Sequence, residues 1–323
     1  MGRLIRDKYE AWKAECNARF AQLKANEEEL NRIFIDIYGL QDELKPEVAP
    51  KDVTVTCVYD SWEDVPEELQ KSGYVKTRQD AVKSLVSYAV GCMMGRYSLD
   101  VPGLAYAGGE WDEGKYISFK PDGDGIIPIT EEDYLHDDIV TRFVEWVRVA
   151  YGDKTLEENL KFVADALACS GNTSREVIRN YFTKDFFKDH CKIYQKRPIY
   201  WLFDSGKKNG FKALVYLHRY NPDMIGRIRS DYLQKVEGII EKKMSDADFD
   251  IQNAVKPADR NKAQKEKDRL SLQLDECRQY DEKIAHLALL RIKLDLDDGV
   301  KANYLKVQTD PADGKVYSVL ASV

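Results

Sequence analysis

The residues best suited to chemistry in this chain are basic side chains, and they are concentrated in one stretch. Between Asn172 and Tyr232 the sequence holds thirteen basic and six acidic residues, a local net charge of +7, whereas the whole chain of 323 residues carries −7. A basic stretch in an acidic chain is typical of a surface that faces phosphate groups. The alternative is an ordinary solvated surface, and charge alone does not choose between the two.

The candidate DNA-contacting residues share this basic stretch and a spacing that groups them on helix faces or at a turn. They are Arg175, Arg179, Lys184, Lys188, Lys192, Lys196, Arg197, Lys207, Lys208, Lys212 and Arg219. Arg175 and Arg179 are four residues apart, and so are the successive lysines from Lys184 to Lys192. Each of these two groups would therefore share one helix face. The lysines from 207 to 212 surround the predicted tip of a β-hairpin, from which a ribbon could reach a groove of duplex DNA.

No spacing typical of a metal site or of a nucleophilic enzyme accompanies this charge. The six cysteines form no CxxC pair, which predicts reduced thiols in a cytoplasmic protein. The pair His190–Cys191 would need further ligands, and the sequence after Asp122 lacks the remaining ligands of a calcium loop. A hydrolase that uses Asp189 and His190 is disfavoured, because adjacent helical residues point apart. We therefore predict no metal site, and no membrane span, since no apolar run is long enough.

Helices must position most of the basic side chains. Apolar residues recur with a helical period in residues 4–44, from Thr77 onward, and from Ser174 to about residue 195. A further helix is predicted to begin with Thr130 as its N-cap and to end before Gly152.

The first of these helical regions carries two apolar stripes. The second stripe consists of Leu30, Ile33, Phe34, Ile37 and Tyr38, and Gly39 follows it as a natural end of the helix.

The hydrophobic period changes to that of strands around the centre of the basic stretch. Residues 198–203 and 211–216 are aromatic, strand-like runs, and Asn209-Gly210 between them is a strong hairpin signal. We expect Tyr200, Trp201 and Tyr216 to belong to the core rather than to stack on bases.

The fold class that these patterns predict is α+β and predominantly helical. Helical regions surround a small antiparallel sheet or hairpin, and two long helices separated near Pro257 form an antiparallel coiled-coil hairpin. Four segments are predicted: a helical segment at 1–47, a mixed α/β domain with the basic hairpin at 48–220, the helical hairpin at 221–296, and an extended tail at 297–323.

Several stretches together give the chain a family resemblance. They are residues 28–34 with 37–40, 88–97, 104–111, 171–182, 190–203 and 297–304. In this order they resemble the C-terminal, non-catalytic part of the PglX family, the adenine-specific DNA methyltransferases of BREX phage-defence systems. No stretch is a general chemical motif, so the resemblance rests on all of them together.

The resemblance implies methylation of adenine N6 in double-stranded DNA with S-adenosylmethionine, together with partners that include an upstream methyltransferase domain and other BREX proteins. The family's Asn-Pro-Pro-Tyr motif is absent, since the one Asn-Pro pair, Asn221-Pro222, is followed by Asp223 and Met224. No glycine-rich cofactor loop follows a strand. No catalytic or cofactor-binding residue is therefore carried over, S-adenosylmethionine is expected only in the full-length enzyme, and this chain is expected to be inactive alone.

Two functions remain open at this point. The chain either supports DNA binding and target recognition in phage defence, or it is a protein–protein scaffold that docks the methyltransferase domain or other BREX subunits and has no DNA affinity of its own. Salt-sensitive binding of duplex DNA would distinguish the first from the second.

Overall fold

The computed structural model describes residues 3–323, and the chain divides into two compact units. The first unit extends to Ser87 and includes Ala150–Ala168, and the second consists of Tyr88–Val149 and Cys169–Val323. The fold is α+β and predominantly helical, as the sequence predicts. The division into four segments stays a prediction. No helix within residues 3–323 is both long and apolar enough to cross a membrane.

Ten α-helices and five strands lie within the described residues, besides short 3-10 segments and a π-helical stretch at Ile228–Leu233. The helices are α1 (Ile5–Tyr38), α2 (Arg78–Met93), α3 (Ile139–Tyr151), α4 (Leu156–Leu167), α5 (Ser174–Lys184), α6 (Phe186–Ile193), α7 (Met224–Arg227), α8 (Gln234–Asn253), α9 (Pro257–Leu290) and α10 (Val300–Lys306). The strands are β1 (Cys57–Tyr59), β2 (Val75–Thr77), β3 (Ile126–Pro128), β4 (Tyr200–Asp204) and β5 (Lys212–Tyr216).

The first unit is built around the N-terminal half of α1. Ile5 is buried and its amide donates to Oδ1 of Asn159 on α4 at 2.8 Å, and the hydroxyl of buried Tyr9 donates to the carbonyl of Tyr59 at 3.1 Å. Strands β1 and β2 pair in parallel beside it. The helix ends at Gly39, as predicted, with a left-handed backbone conformation.

The second unit is centred on a three-stranded antiparallel sheet with the order β3-β5-β4. The predicted hairpin is confirmed, with Trp201 opposite Val215 and Phe203 opposite Ala213. Because side chains alternate along a strand, these four residues share one face, and they pack with buried side chains of α7, α8 and α9. The helical hairpin of α8 and α9 is also present, and Pro257 begins its second helix.

Two sequence predictions about element boundaries are wrong. The helix predicted from Thr130 begins only at Ile139, because Asp138 holds the preceding segment in turns: its carboxylate accepts from the Thr130 hydroxyl at 2.8 Å and from the Val140 amide at 3.0 Å. The predicted extended tail contains α10, and buried Asn303 donates back to the carbonyl of Gly299 at 3.1 Å. Only the end of the tail is extended along the edge of β4.

Candidate nucleic-acid interface

The structure divides the basic stretch into side chains on the surface and side chains inside the fold. Eight of the candidate residues are exposed, namely Arg175, Lys184, Lys188, Lys192, Lys196, Arg197, Lys207 and Lys208. The other three make contacts within the second unit. The distinction matters because a cation whose charge is already held by carboxylates and carbonyls inside the fold has little left for a phosphate.

Arg179 is one of the three, and it is buried among oxygen atoms. Its guanidinium lies 2.9 Å from the fully buried carboxylate of Asp138, pairs with Asp133, and donates to the carbonyl of Thr130 at 2.6 Å. A buried arginine with this many partners is committed to holding the fold together. Arg179 is therefore no part of an accessible DNA surface.

Lys212 and Arg219 are also held by the fold. The Lys212 ammonium donates to the carbonyl of Thr183 at 3.1 Å and lies 3.6 Å from the carboxylate of Asp204. The Arg219 guanidinium donates to the carbonyl of Asp122 at 2.6 Å and covers the ring of Trp111 at 4.6 Å. Both contacts bind distant segments of the chain to the sheet.

The row of lysines predicted along one helix is distributed over two helices. Helix α5 ends at Lys184, and Asp185, with φ −124°, separates it from α6. Lys188 lies 3.3 Å from Asp185 in an exposed ion pair, which is weak in water and does not occupy the lysine permanently. The exposed lysines therefore present two short groups of charge instead of one continuous line.

The tip of the hairpin is fixed to helix α9 by one carboxylate. Glu276 accepts from the Ser205 hydroxyl at 2.8 Å, from the Gly210 amide at 3.1 Å and from the Lys208 amide at 2.8 Å. These bonds hold the loop backbone while the side chains of Lys207 and Lys208 stay exposed. The two lysines are thus presented from a defined position, which reduces the ordering cost of binding.

Sequence reasoning missed Arg96, whose guanidinium has no carboxylate partner within residues 3–323. It donates to the Tyr97 hydroxyl at 3.4 Å and to the Tyr216 hydroxyl at 3.3 Å, and it lies 5.5 Å from the centre of the Tyr97 ring. Among the described residues, its Nη2 makes no hydrogen bond. Arg96 lies outside the basic stretch, and its importance follows only from its neighbours in space.

Two glycines place Arg96 in this position. Gly95, with φ +81°, turns the chain after α2, and a Cβ there would lie 2.5 Å from the Trp111 ring. A Cβ on Gly91 would lie 2.3 Å from the Tyr97 ring, so only glycine lets that ring pack on α2. The Arg96 amide then donates to the carbonyl of Gly91 at 2.8 Å. The local sequence Gly-Arg-Tyr therefore fixes both the arginine and its aromatic neighbour.

The histidines beside Arg96 stay neutral. Nε2 of His190 accepts from the amides of Ile199 and Tyr200, both at 3.1 Å, and burial together with the Arg96 charge lowers the pKa of His190 to about 3. Burial, and then the charge of Arg96, also lowers the pKa of His218. Nε2 of His190 is therefore occupied by backbone amides. No group that could hold a metal ion is found within residues 3–323.

The surroundings of Arg96 suit an anion with planar or tetrahedral oxygens. Arginine stays charged at any accessible pH, and a partly buried guanidinium without a carboxylate gains most from such a ligand. The Tyr194 ring packs at a tilt against the His190 ring, with 4.6 Å between ring centres, and the exposed Lys196 and Arg197 follow after Gln195. Arginine, tyrosine rings and lysines together form the combination that proteins use for nucleic-acid backbones and bases.

Comparison with known proteins relates this chain to adenine-specific methyltransferases. It is 47% identical over 305 residues to the adenine-specific methyltransferase PglX of Lacticaseibacillus casei (strain Zhang), which covers 94% of this chain and 24% of that protein. It is 41% identical over 251 residues to the adenine-specific methyltransferase BrxX of Escherichia coli O9:H4 (strain HS), which covers 74% of this chain and 21% of that protein. No family model matches.

The resemblance to the C-terminal region of a PglX-like methyltransferase is therefore confirmed. The chain spans about a quarter of the length of the curated relatives it matches. Two of the stretches that carry the resemblance, residues 88–97 and 104–111, meet at Arg96, since the amide of Ala105 donates to the Arg96 carbonyl at 2.9 Å. The Tyr216 hydroxyl, which accepts from Arg96, donates in turn to the carbonyl of Tyr106 at 2.9 Å.

Proposed function

We propose that this chain is the DNA-gripping, non-catalytic region of a PglX-like adenine-N6 DNA methyltransferase. It contacts the phosphate backbone of double-stranded DNA and so supports target recognition. The methyl donor S-adenosylmethionine and the catalytic motif belong to the remainder of the full-length enzyme. The names PglX and BrxX support a place in a BREX system, and the proposal extends this to phage defence in the cytoplasm.

The observation that carries this proposal is the guanidinium of Arg96, which contacts the side chains of Tyr97 and Tyr216 and has no carboxylate partner within residues 3–323. The guanidinium lacks a carboxylate, so a phosphate oxygen would add a charge-assisted contact that the fold itself does not supply. The exposed Lys196 and Arg197 lie close along the chain to the same aromatic group. The fixed loop that carries Lys207 and Lys208 adds a second source of charge.

Contacts with the phosphate backbone suit an enzyme that modifies a base. Methylation of adenine N6 requires the target base to leave the stack, and this step costs a few kcal/mol. Phosphate contacts position the duplex during that step without reading the sequence. Burial, and then the charge of Arg96, lowers the pKa of His190 and of His218, and the charge that remains on Arg96 favours an anion over a cation.

Binding of a 30-base-pair duplex, followed by fluorescence anisotropy over a series of KCl concentrations, tests the proposal. The isolated chain is expected to bind with an affinity that falls steeply with salt. Arg96→Gln should weaken binding by about tenfold and reduce the slope against log salt by about 1, because one charge-assisted contact is lost. Lys207→Glu with Lys208→Glu should weaken binding by more than tenfold.

The matched control is Lys262→Glu with Lys265→Glu, an equal charge change at two exposed lysines of α9. It should change the affinity by less than about threefold, since distant surface charges are largely screened. Lys212 is not substituted together with Lys207 and Lys208, because its side chain is buried. Equal losses in the two double variants, or binding that salt does not weaken, would contradict a localised phosphate grip.

A further inference from the structure

The C-terminal half of α1 presents a contiguous apolar face to solvent. Its exposed fractions are 52% for Leu30, 45% for Ile33, 49% for Phe34, 69% for Ile37 and 70% for Tyr38. The rings of Phe34 and Tyr38 stack on one another with centres 6.5 Å apart. The sequence predicts these residues as an apolar stripe, and none of the described residues covers them.

The stripe is confined to one side of the helix. At 100° per residue the five side chains lie within an arc of about 140°. The chain itself covers the helix beyond one edge of the stripe: Asn31, next to Tyr38 around the helix, donates to the carbonyl of Pro46 at 3.2 Å, and on the opposite side the Val48 amide donates to Glu28 at 3.2 Å. Ile35, on that covered side, is 8% exposed. The segment after Gly39 therefore packs along one face of α1 and leaves the apolar face open.

A contiguous apolar surface of five large side chains marks an interaction site in a soluble protein. Its surroundings are acidic, because residues 27–38 contain four acidic residues and one basic residue. Two copies placed face to face would bring these like charges together, which disfavours a symmetric pair. Membrane-binding helices carry lysine and arginine on their polar face, so an anionic lipid surface is disfavoured as well.

The partner that remains is the part of the full-length enzyme that lies outside this chain. The curated relatives have about three quarters of their length outside the matched region. We propose that the apolar face of α1, formed by Leu30, Ile33, Phe34, Ile37 and Tyr38, docks on the part of a PglX-like methyltransferase that lies outside this chain. The docking surface on that part is apolar with a basic rim. A helix packed into such a groove leaves its i, i+3, i+4 and i+7 residues as anchors, which is the spacing from Leu30 to Ile37.

Photo-crosslinking in a full-length enzyme tests the docking. The matched region of PglX from L. casei is replaced by this chain, a benzophenone side chain is placed at position 37, and crosslinked peptides are identified by mass spectrometry. Crosslinks to peptides outside the matched region support the proposal. A probe at position 289, where Leu289 is 83% exposed on α9, is the matched control and should give no such crosslinks.

Isotope-mixed samples distinguish a second copy from the same polypeptide. Crosslinks between light and heavy chains, or no protein crosslinks at position 37, would overturn the proposal. The same probe in the isolated chain, mixed with PglX from which the matched region has been removed, does not require the chimeric enzyme to fold. Crosslinks between those two proteins support the docking, and their absence in both formats counts against it.

A pair of substitutions gives a second measurement. Ile33→Glu with Ile37→Glu should shift the melting temperature of the isolated chain by less than about 2 °C, because both side chains are exposed there, and should lower that of the chimeric enzyme by about 5 °C or more. Equal shifts in both proteins would contradict the docking. Failure of this proposal leaves DNA binding untouched, since α1 carries none of the candidate DNA-contacting residues.

Discussion

Arg179 and Arg96 lie in two regions of the same unit and have opposite surroundings. Around Arg179, helix α5 and the turns before α3 bring Asp133, Asp138 and the carbonyl of Thr130 to the guanidinium. Around Arg96, the turn after α2 and strand β5 supply only tyrosine hydroxyls. The first arginine has its charge neutralised inside the protein, whereas the second keeps a charge that no carboxylate of the described chain offsets.

The difference teaches that the number of basic residues in a stretch does not measure its affinity for phosphate. A guanidinium that is surrounded by carboxylates contributes to the stability of the fold and has little left for a ligand. A guanidinium among neutral hydroxyls contributes less to stability and more to binding. The two regions should therefore respond in opposite ways to loss of the arginine.

The largest expected effect is on the free energy of unfolding when Arg179 is replaced. Arg179→Met should lower it by about 3 to 5 kcal/mol, because the carboxylate of Asp138 would remain buried without its cation. Urea denaturation measures the change. Lys184→Met, at an exposed position of the same helix, is the control and should stay within about 0.5 kcal/mol of the original chain. Similar losses for the two variants would remove the basis of the comparison.

A second prediction uses the pH dependence of stability near Arg96. The pKa of His190 is about 3 in the folded chain and about 6.5 when unfolded, so the unfolded state binds more protons between these values. The stabilisation that comes from keeping His190 neutral is therefore present above pH 6.5 and is lost as the pH falls towards 3. Between pH 7 and pH 5 we expect a loss of about 2 kcal/mol.

The substitution His190→Gln should remove this loss, because its side-chain oxygen can accept from the Ile199 and Tyr200 amides without titrating. Chemical denaturation at pH 7, 6 and 5 measures it. His136, whose side chain is 97% exposed, provides the control variant His136→Gln, which should keep the original pH dependence. A loss that persists in the His190 variant would mean that other groups cause it.

The smallest expected effect on stability is at Arg96 itself. Arg96→Gln should change the free energy of unfolding by less than about 1 kcal/mol, because the lost hydrogen bonds are long and their tyrosine partners keep other contacts. The same variant is expected to bind duplex DNA about tenfold more weakly, the loss of one charge-assisted contact. A destabilisation as large as that of Arg179→Met would assign Arg96 to the fold and withdraw it from the interface.

Local sequence patterns predicted the elements that carry the interface but not the environment of each charge. The hairpin of β4 and β5 follows from Asn209-Gly210 between two aromatic runs, and the break between the two long helices lies near Pro257 as expected, although Pro257 itself begins α9. The exposure of Lys207 and Lys208 at the tip of the β4–β5 hairpin also agrees with their place in a turn. The signal that could have pointed to Arg96 is the pair Gly91 and Gly95 just before it. The reason for these glycines is visible only in the structure, where the rings of Tyr97 and Trp111 pack against them.

The sequence by itself determined the helical and strand periods, the hairpin, the excess of positive charge between residues 172 and 232, and the relation to PglX-like methyltransferases. Only the tertiary structure decided which cations are neutralised, which remain available, and which apolar face of α1 is left open. The physical reason is that periodicity and turn chemistry act between neighbours in the chain, whereas desolvation, ion pairing and packing depend on residues such as Asp138 and Tyr216 that lie 41 and 120 positions away from their partners.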